Sequence, residues 1–131
     1  MVDTSAIFAV MAGEPESARF HQLLLDGEAS ISVASVVELG RVAMHRLGAD
    51  GVAEVRALVG DYGIAVVELD VAQMEIALAA MLAFGKGCAA PPAVLNFGDL
   101  FSYALAKALG QPLLFKGNDF VVTDVTPALP P

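Results

Sequence analysis

The 131-residue chain has a single cysteine, few charges and no long apolar run. Cys88 has no second thiol to pair with, which fits a reducing cytosol. It also has no neighbouring residue types that would make it a nucleophile, so it reads as an ordinary loop cysteine. The most apolar stretch, Ile76 to Phe84, is about half the roughly 18 residues that a membrane span requires. The N-terminus shows no basic segment followed by an apolar one, the mark of a secretory signal. A cytoplasmic protein with no membrane association is therefore expected. Basic residues are the scarcest charges: seven Lys plus Arg stand against fifteen Asp plus Glu, for a net charge of −8. Proteins that hold nucleic acid by their own electrostatics are usually basic. Either nucleic acid is not the ligand, or bound cations reverse the sign locally.

Apolar residues, by contrast, are abundant. At 56% they exceed the usual share for a soluble domain, and the surplus suggests a partner or a self-association surface. The length fits one compact domain, which can bury roughly two thirds of its unfolded surface without a disulfide or structural metal. Residues 1–125 read as that domain. Thr126 to Pro131 reads as a Pro-containing tail, extended or frayed.

The elements alternate along the chain. Met1 and Val2 end a short strand, and Asp3-Thr4-Ser5 turns into an apolar helix. Gly13-Glu14-Pro15-Glu16 breaks that helix, and Pro15 opens a second through about Asp26. Ile31 and Val33 belong to the next strand, and Ser35 is a suitable N-cap for the helix after it. Ala49 to Asp61 is helical, and Ile64 to Leu69 is a β-branched run of the kind found in buried strands. A helix over Val71 to Phe84 and a loop over Gly85 to Leu95 follow. Asn96 caps a helix to about Ala108, Gly110 ends it, and Pro112 to Phe115 is a strand. The pattern predicts an α/β fold with a parallel central sheet of four to five strands and helices on both faces. Ligands of such sheets bind beyond the carboxyl ends of the strands.

Four acids fall in that zone: Asp3, Glu38, Asp99 and Asp119. Each also has a local explanation. Ser35-Val36-Val37-Glu38 and Asn96-Phe97-Gly98-Asp99 have the form of helix-start capping boxes, and Asp3 and Asp119 suit turns. Together they carry a different implication. Two unit charges about 4 Å apart repel by roughly 4 kcal/mol at an effective dielectric of 20, so converging carboxylates need something positive among them. A hard divalent cation with oxygen ligands, such as Mg²⁺, fits. His21 and His45 lie elsewhere and read as surface or packing residues. A cation held this way would polarise a phosphoryl oxygen and lower the pKa of a bound water, which is the chemistry of phosphodiester hydrolysis. Two Mg²⁺ ions carry four positive charges and would move the net −8 to −4, with the positive charge at the scissile phosphate.

At these residues the chain resembles the PIN-domain ribonucleases, and more narrowly the VapC-type toxins of bacterial toxin–antitoxin modules. The matching stretches are Val2 to Ala6, Ser32 with Glu38-Leu39, Leu95 to Ala104, and Pro112 to Phe120. The combination of Asn-Phe-Gly-Asp with a later Lys-Gly-Asn-Asp-Phe is the specific part. The resemblance implies Mg²⁺- or Mn²⁺-dependent cleavage of RNA, with Asp3 and Asp99 as principal metal ligands. Glu38 and Asp119 would complete the acidic cluster, and Ser5 would support it by hydrogen bonding. It also implies a homodimer and inhibition by an antitoxin seated near the active site. In two respects the chain departs from the pattern. Only two residues precede Asp3, and Gly117 stands where many relatives carry another acid, which leaves Asp124 as a nearby substitute for Asp119.

Lys86, Lys107 and Lys116 read as solvated side chains, and Arg41, one turn from Glu38, as its ion-pair partner. Met44 and Leu47 suit either an interface or the core. Two other functions fit some of these features. In a phosphatase-like domain Asp3 would be the nucleophile, although Thr4, Ser5 and Ala6 offer no second acid close after it. In a non-catalytic protein-binding module the acids would merely start helices.

Overall fold

The computed structural model describes residues 1–130. Six helices and two regular strands follow one another as α1 (Thr4–Met11), α2 (Ser17–Asp26), β1 (Ser30–Ser32), α3 (Val33–Leu47), α4 (Asp50–Asp61), β2 (Ala65–Val67), α5 (Val71–Phe84) and α6 (Asp99–Leu109). β1 and β2 are parallel, with Ile31 opposite Val66. The layer then continues by single pairs. Val2 donates its N–H to Ser30 O and is paired with Leu114, and Leu113 is paired with Pro127. Five segments thus lie side by side, although only two form regular strands, and each of those is three residues long.

Consecutive residues point to opposite faces of this layer, as the pleat demands. Met1 and Leu113 enter a core with α5 and α6, while Val2 and Leu114 enter a second core with α1 to α4. Helices therefore cover both faces, as expected.

Three local expectations are corrected. Val33 is helical rather than part of a strand, and α3 is capped by Ser32, whose hydroxyl accepts the Ala34 N–H at 3.3 Å. Ser35 lies inside α3 and shares a buried hydrogen bond with Ser102 of α6 instead. The β-branched run at Ile64 to Leu69 is an edge: Ile64 is buried, but Val66 and Leu69 face solvent. A strand at the margin of a sheet has one face and one side open whatever its composition. The closing segment expected to be extended or frayed is extended and paired. Leu113 N–H donates to Thr126 O, Ala128 N–H donates to Leu113 O, and Ala128 and Leu129 pack on the second core. Pro131, the last residue of that expected tail, lies outside the described residues. No helix among the described residues is long and apolar enough to cross a membrane.

Candidate active site

The carboxyl ends of the central segments hold the acids. Asp3 directly follows the Val2 pair and caps α1: its Oδ2 accepts the Ser5 N–H at 2.8 Å and the Ser5 hydroxyl at 2.6 Å. The Ser5 hydroxyl in turn accepts the Lys116 N–H at 3.0 Å, so it fastens the turn that leads to Asp119 onto Asp3. Asp99 opens α6. Its Oδ2 accepts the Asn96 N–H at 2.7 Å, while Asn96 Oδ1 accepts the N–H groups of Gly98 and Asp99. That is a capping box with Asp in the place of Glu. Both aspartates are buried. In each, one oxygen serves the backbone and Oδ1 has no protein partner. Neither Oδ1 is sealed off, since Gln73 Oε1 is the sole buried side-chain polar atom left without a partner among the described residues.

Glu38 enters from the second turn of α3, not the first, so the capping role open to it in the sequence is gone. It accepts a 3.1 Å hydrogen bond from the Thr4 hydroxyl, which ties it to the residue after Asp3. On the other side its carboxylate fills the space above Gly98: a Cβ there would fall 2.0 Å from Glu38 Oε1. Thr4 and Gly98 are thus functional neighbours that sequence reasoning passed over. The signal available for Gly98 was its position directly before an acid in the Asn-Phe-Gly-Asp stretch.

The electrostatics report the convergence. Asp99 is pushed up to about 7, first by burial and then by the negative charges of Asp3, Asp119 and Glu38, against the lowering effect of the Asn96 N–H. Glu38 is also raised, by burial and by Asp3, with Thr4 and Arg41 opposing. Arg41 makes no ion pair within 4.0 Å among the described residues, so its expected pairing with Glu38 does not form, although its charge is felt there. Asp119 is exposed in the turn after Leu114. Asp124 is elsewhere, bound by Tyr103 and Lys107, and is absent from the charges that perturb Asp99. Gly117 has φ +94°, a conformation that side chains rarely adopt, which suits glycine rather than the acid of many relatives.

In their present positions no three His, Cys, Asp or Glu side chains among the described residues close into a cage for an ion. The donor set still suits a hard cation. Mg²⁺ keeps several waters and commonly takes one or two carboxylates, and Asp3 and Asp99 each offer an unused Oδ1. No nitrogen competes: His21 lies against Tyr62 and His45 is exposed near the end of α3.

The PIN-domain family model matches residues 1–125. The chain belongs to the PIN-domain family. Among relatives of this PIN domain are the ribonucleases VapC42 and VapC30 of Mycobacterium tuberculosis. VapC42 is 40% identical over 98% of both chains, and VapC30 is 41% identical over 99% of both. A ribonuclease VapC of Mycolicibacterium smegmatis is 40% identical over 95% of this chain and 96% of its own. The fold is similar to the crystal structure of Mycobacterium tuberculosis VapC20, a sarcin–ricin-loop-cleaving toxin. That likeness has a TM-score of 0.77, 18% identity and 98% coverage of each chain.

Proposed function

We propose that this PIN domain is a cytoplasmic endoribonuclease that works with a Mg²⁺ or Mn²⁺ ion between Asp3 and Asp99, as the toxin of a toxin–antitoxin pair. The observation that carries the reading is the raised Asp99 carboxyl. The charges of Asp3, Asp119 and Glu38 all raise Asp99, and no cation among the described residues offsets them there. Full-length relatives called ribonucleases support the choice of substrate.

Asp3 and Asp99 would hold the ion through their Oδ1 atoms, while Ser5 and Asn96 keep the opposite oxygens fixed. When bound, the ion supplies polarisation of the phosphoryl oxygen and a more acidic water. Glu38, its proton affinity raised by burial and oriented by Thr4, is placed to accept a proton from the attacking water. Asp119, exposed at the rim, completes the negative field that favours a second cation or orients that water.

Partners follow from what is left uncovered. α5 is apolar but for Gln73 and Glu75, and one side packs on α6, yet Val71, Met74, Leu78 and Leu82 are exposed on its outer side, with Glu75 among them. Such a helix belongs in an interior, and a second copy of the chain would provide one. On the other side of the molecule Met44, Leu47 and Val52 are exposed along α3 and α4 and would receive the antitoxin.

The test is cleavage of end-labelled RNA by purified protein with Mg²⁺, with Mn²⁺ and with chelator. Asp3→Asn and Asp99→Asn should each cut at least about a hundredfold more slowly while keeping the parent's circular dichroism. Equal cleavage by parent and variants, or undiminished cleavage in chelator, would overturn the assignment.

A further inference from the structure

Beside the acids lies an open cavity of about 590 Å³, and its far wall is aromatic. Glu38 and Gly98 form the side shared with the active site, and Val37, Phe97, Phe101 and Arg41 are among the residues that form the remainder. Phe97 is 73% exposed, an unusual position for a phenylalanine in a chain with a well-filled core. It is nevertheless held in place. Phe101, half-buried one turn into α6, meets it edge to face with ring centroids 5.0 Å apart, and Asn96 Oδ1 fixes the turn on which it sits. A ring held by a neighbour and still 73% exposed can serve as a platform.

We propose that this cavity is a base-binding subsite: a nucleobase of single-stranded RNA, flanking the scissile phosphate, stacks on Phe97 while Arg41 meets the adjoining phosphate. The inference rests on the ribonuclease reading and extends it. Three observations select this occupant. First, Glu38 and Gly98 line the cavity, and Phe97 is two residues from Asp99, so a strand with its phosphate at the acids would have a flanking nucleotide within reach of it. Second, Arg41 is uncommitted. Lys107 is bound to Asp124, and Lys116 is bound to Glu14 and Glu16, but among the described residues Arg41 forms no ion pair within 4.0 Å. In a chain of net charge −8 a guanidinium lining the same cavity as Phe97 offers a phosphodiester a positive partner. Third, stacking on an aromatic ring asks only for a π-face, which every base offers, so the subsite secures the strand without fixing its sequence.

The test pairs a change in the protein with a change in the RNA. Phe97→Ala, Phe97→Tyr and the parent are compared on single-stranded RNA cut by the parent, and on the same RNA made abasic at each nucleotide flanking the cut. Phe97 is exposed, so the variants should fold and melt like the parent. Phe97→Ala should lower kcat/KM roughly 5- to 150-fold, the range for loss of one base–aromatic stack. Phe97→Tyr should restore most of it, and at one flanking position the abasic RNA should be cut equally by parent and Phe97→Ala. A parent that cuts RNA while Phe97→Ala matches it on intact and abasic strands would overturn the subsite and leave the nuclease reading standing. A parent that cuts no RNA with any divalent ion removes the nuclease reading, and the subsite with it. If Phe97→Ala keeps its RNA kinetics but escapes inhibition by a protein partner, the platform belongs to that partner and the proposal fails.

Discussion

Two aspartates, one beside helix α6 and one at its first position, are treated in opposite ways. Asp124, beside the middle of the helix, accepts hydrogen bonds from Tyr103 at 2.6 Å and Lys107 at 3.0 Å, and these hold its carboxyl below the usual range. Asp99, at the N-terminus of the same helix, receives one backbone N–H, faces three other acids and is pushed up to about 7. The helix dipole favours an anion at that end, so the raised value is more telling: repulsion and burial have outweighed it. The first carboxylate is satisfied by the fold. The second is left for something outside the fold to satisfy, and the lesson is that a chemical role shows as unrelieved charge.

The contrast can be broken first by removing the charge. Asp99→Asn keeps an oxygen for the Asn96 N–H but should lose RNA cleavage by at least about a hundredfold, whereas Asp124→Asn should cut RNA like the parent. Similar losses in both would erase the distinction. Next, the cluster can be disturbed without altering any acid. Gly98→Ala should force the end of the Glu38 side chain aside and slow cleavage roughly tenfold or more, with the melting temperature little changed because that end is flexible.

Stability should respond with opposite sign at the two aspartates. The folded Asp99 carboxyl binds its proton more tightly than an unfolded one. Metal-free protein should therefore lose stability as pH rises from its ordinary 3.8 to about 7, while Asp124 contributes stability that is lost only in stronger acid. Added Mn²⁺ should bind more tightly as pH rises through about 7 and restore the melting temperature, and metal-free Asp99→Asn should melt above the parent at neutral pH. Calorimetry across that range checks each point; a melting temperature that rises with pH in the metal-free parent would contradict the raised carboxyl. The smallest effect is at the satisfied site. Asp124→Asn should cost no more than about 1 kcal/mol in a denaturant titration, because its pair with Lys107 is largely exposed.

How far the sequence could be read follows the same division. Asp3 and Asp99 were legible because each is tied to its own helix start, and capping is a local code. Glu38 is legible as an acid beyond a strand end, but the capping box that is its local alternative does not exist. Its actual partners, Thr4 and the space over Gly98, lie 34 and 60 residues away in the chain and follow from no local pattern. The choice between Asp119 and Asp124 was open for the same reason, since the Tyr103 contact that occupies Asp124 is a tertiary one. The helices came out close to their true limits, whereas the strands did not. Helical periodicity is carried over ten or more residues, while each segment of this sheet offers two or three. The mistaken burial of Val66 shows the limit of composition: β-branched residues mark a strand, but its place in the sheet decides what covers it.

The last segment of the sheet has a consequence for a chain so rich in apolar residues. Thr126 and Ala128 turn their backbone groups inward to Leu113, which leaves Pro127 as the residue whose backbone faces outward, and proline has no amide hydrogen to offer. A neighbouring molecule that tried to extend the layer from this margin would find no donor at the position where a rung must form. Self-templated growth into fibres is thereby discouraged at the margin formed by the C-terminal segment, by a ring closure rather than by charge.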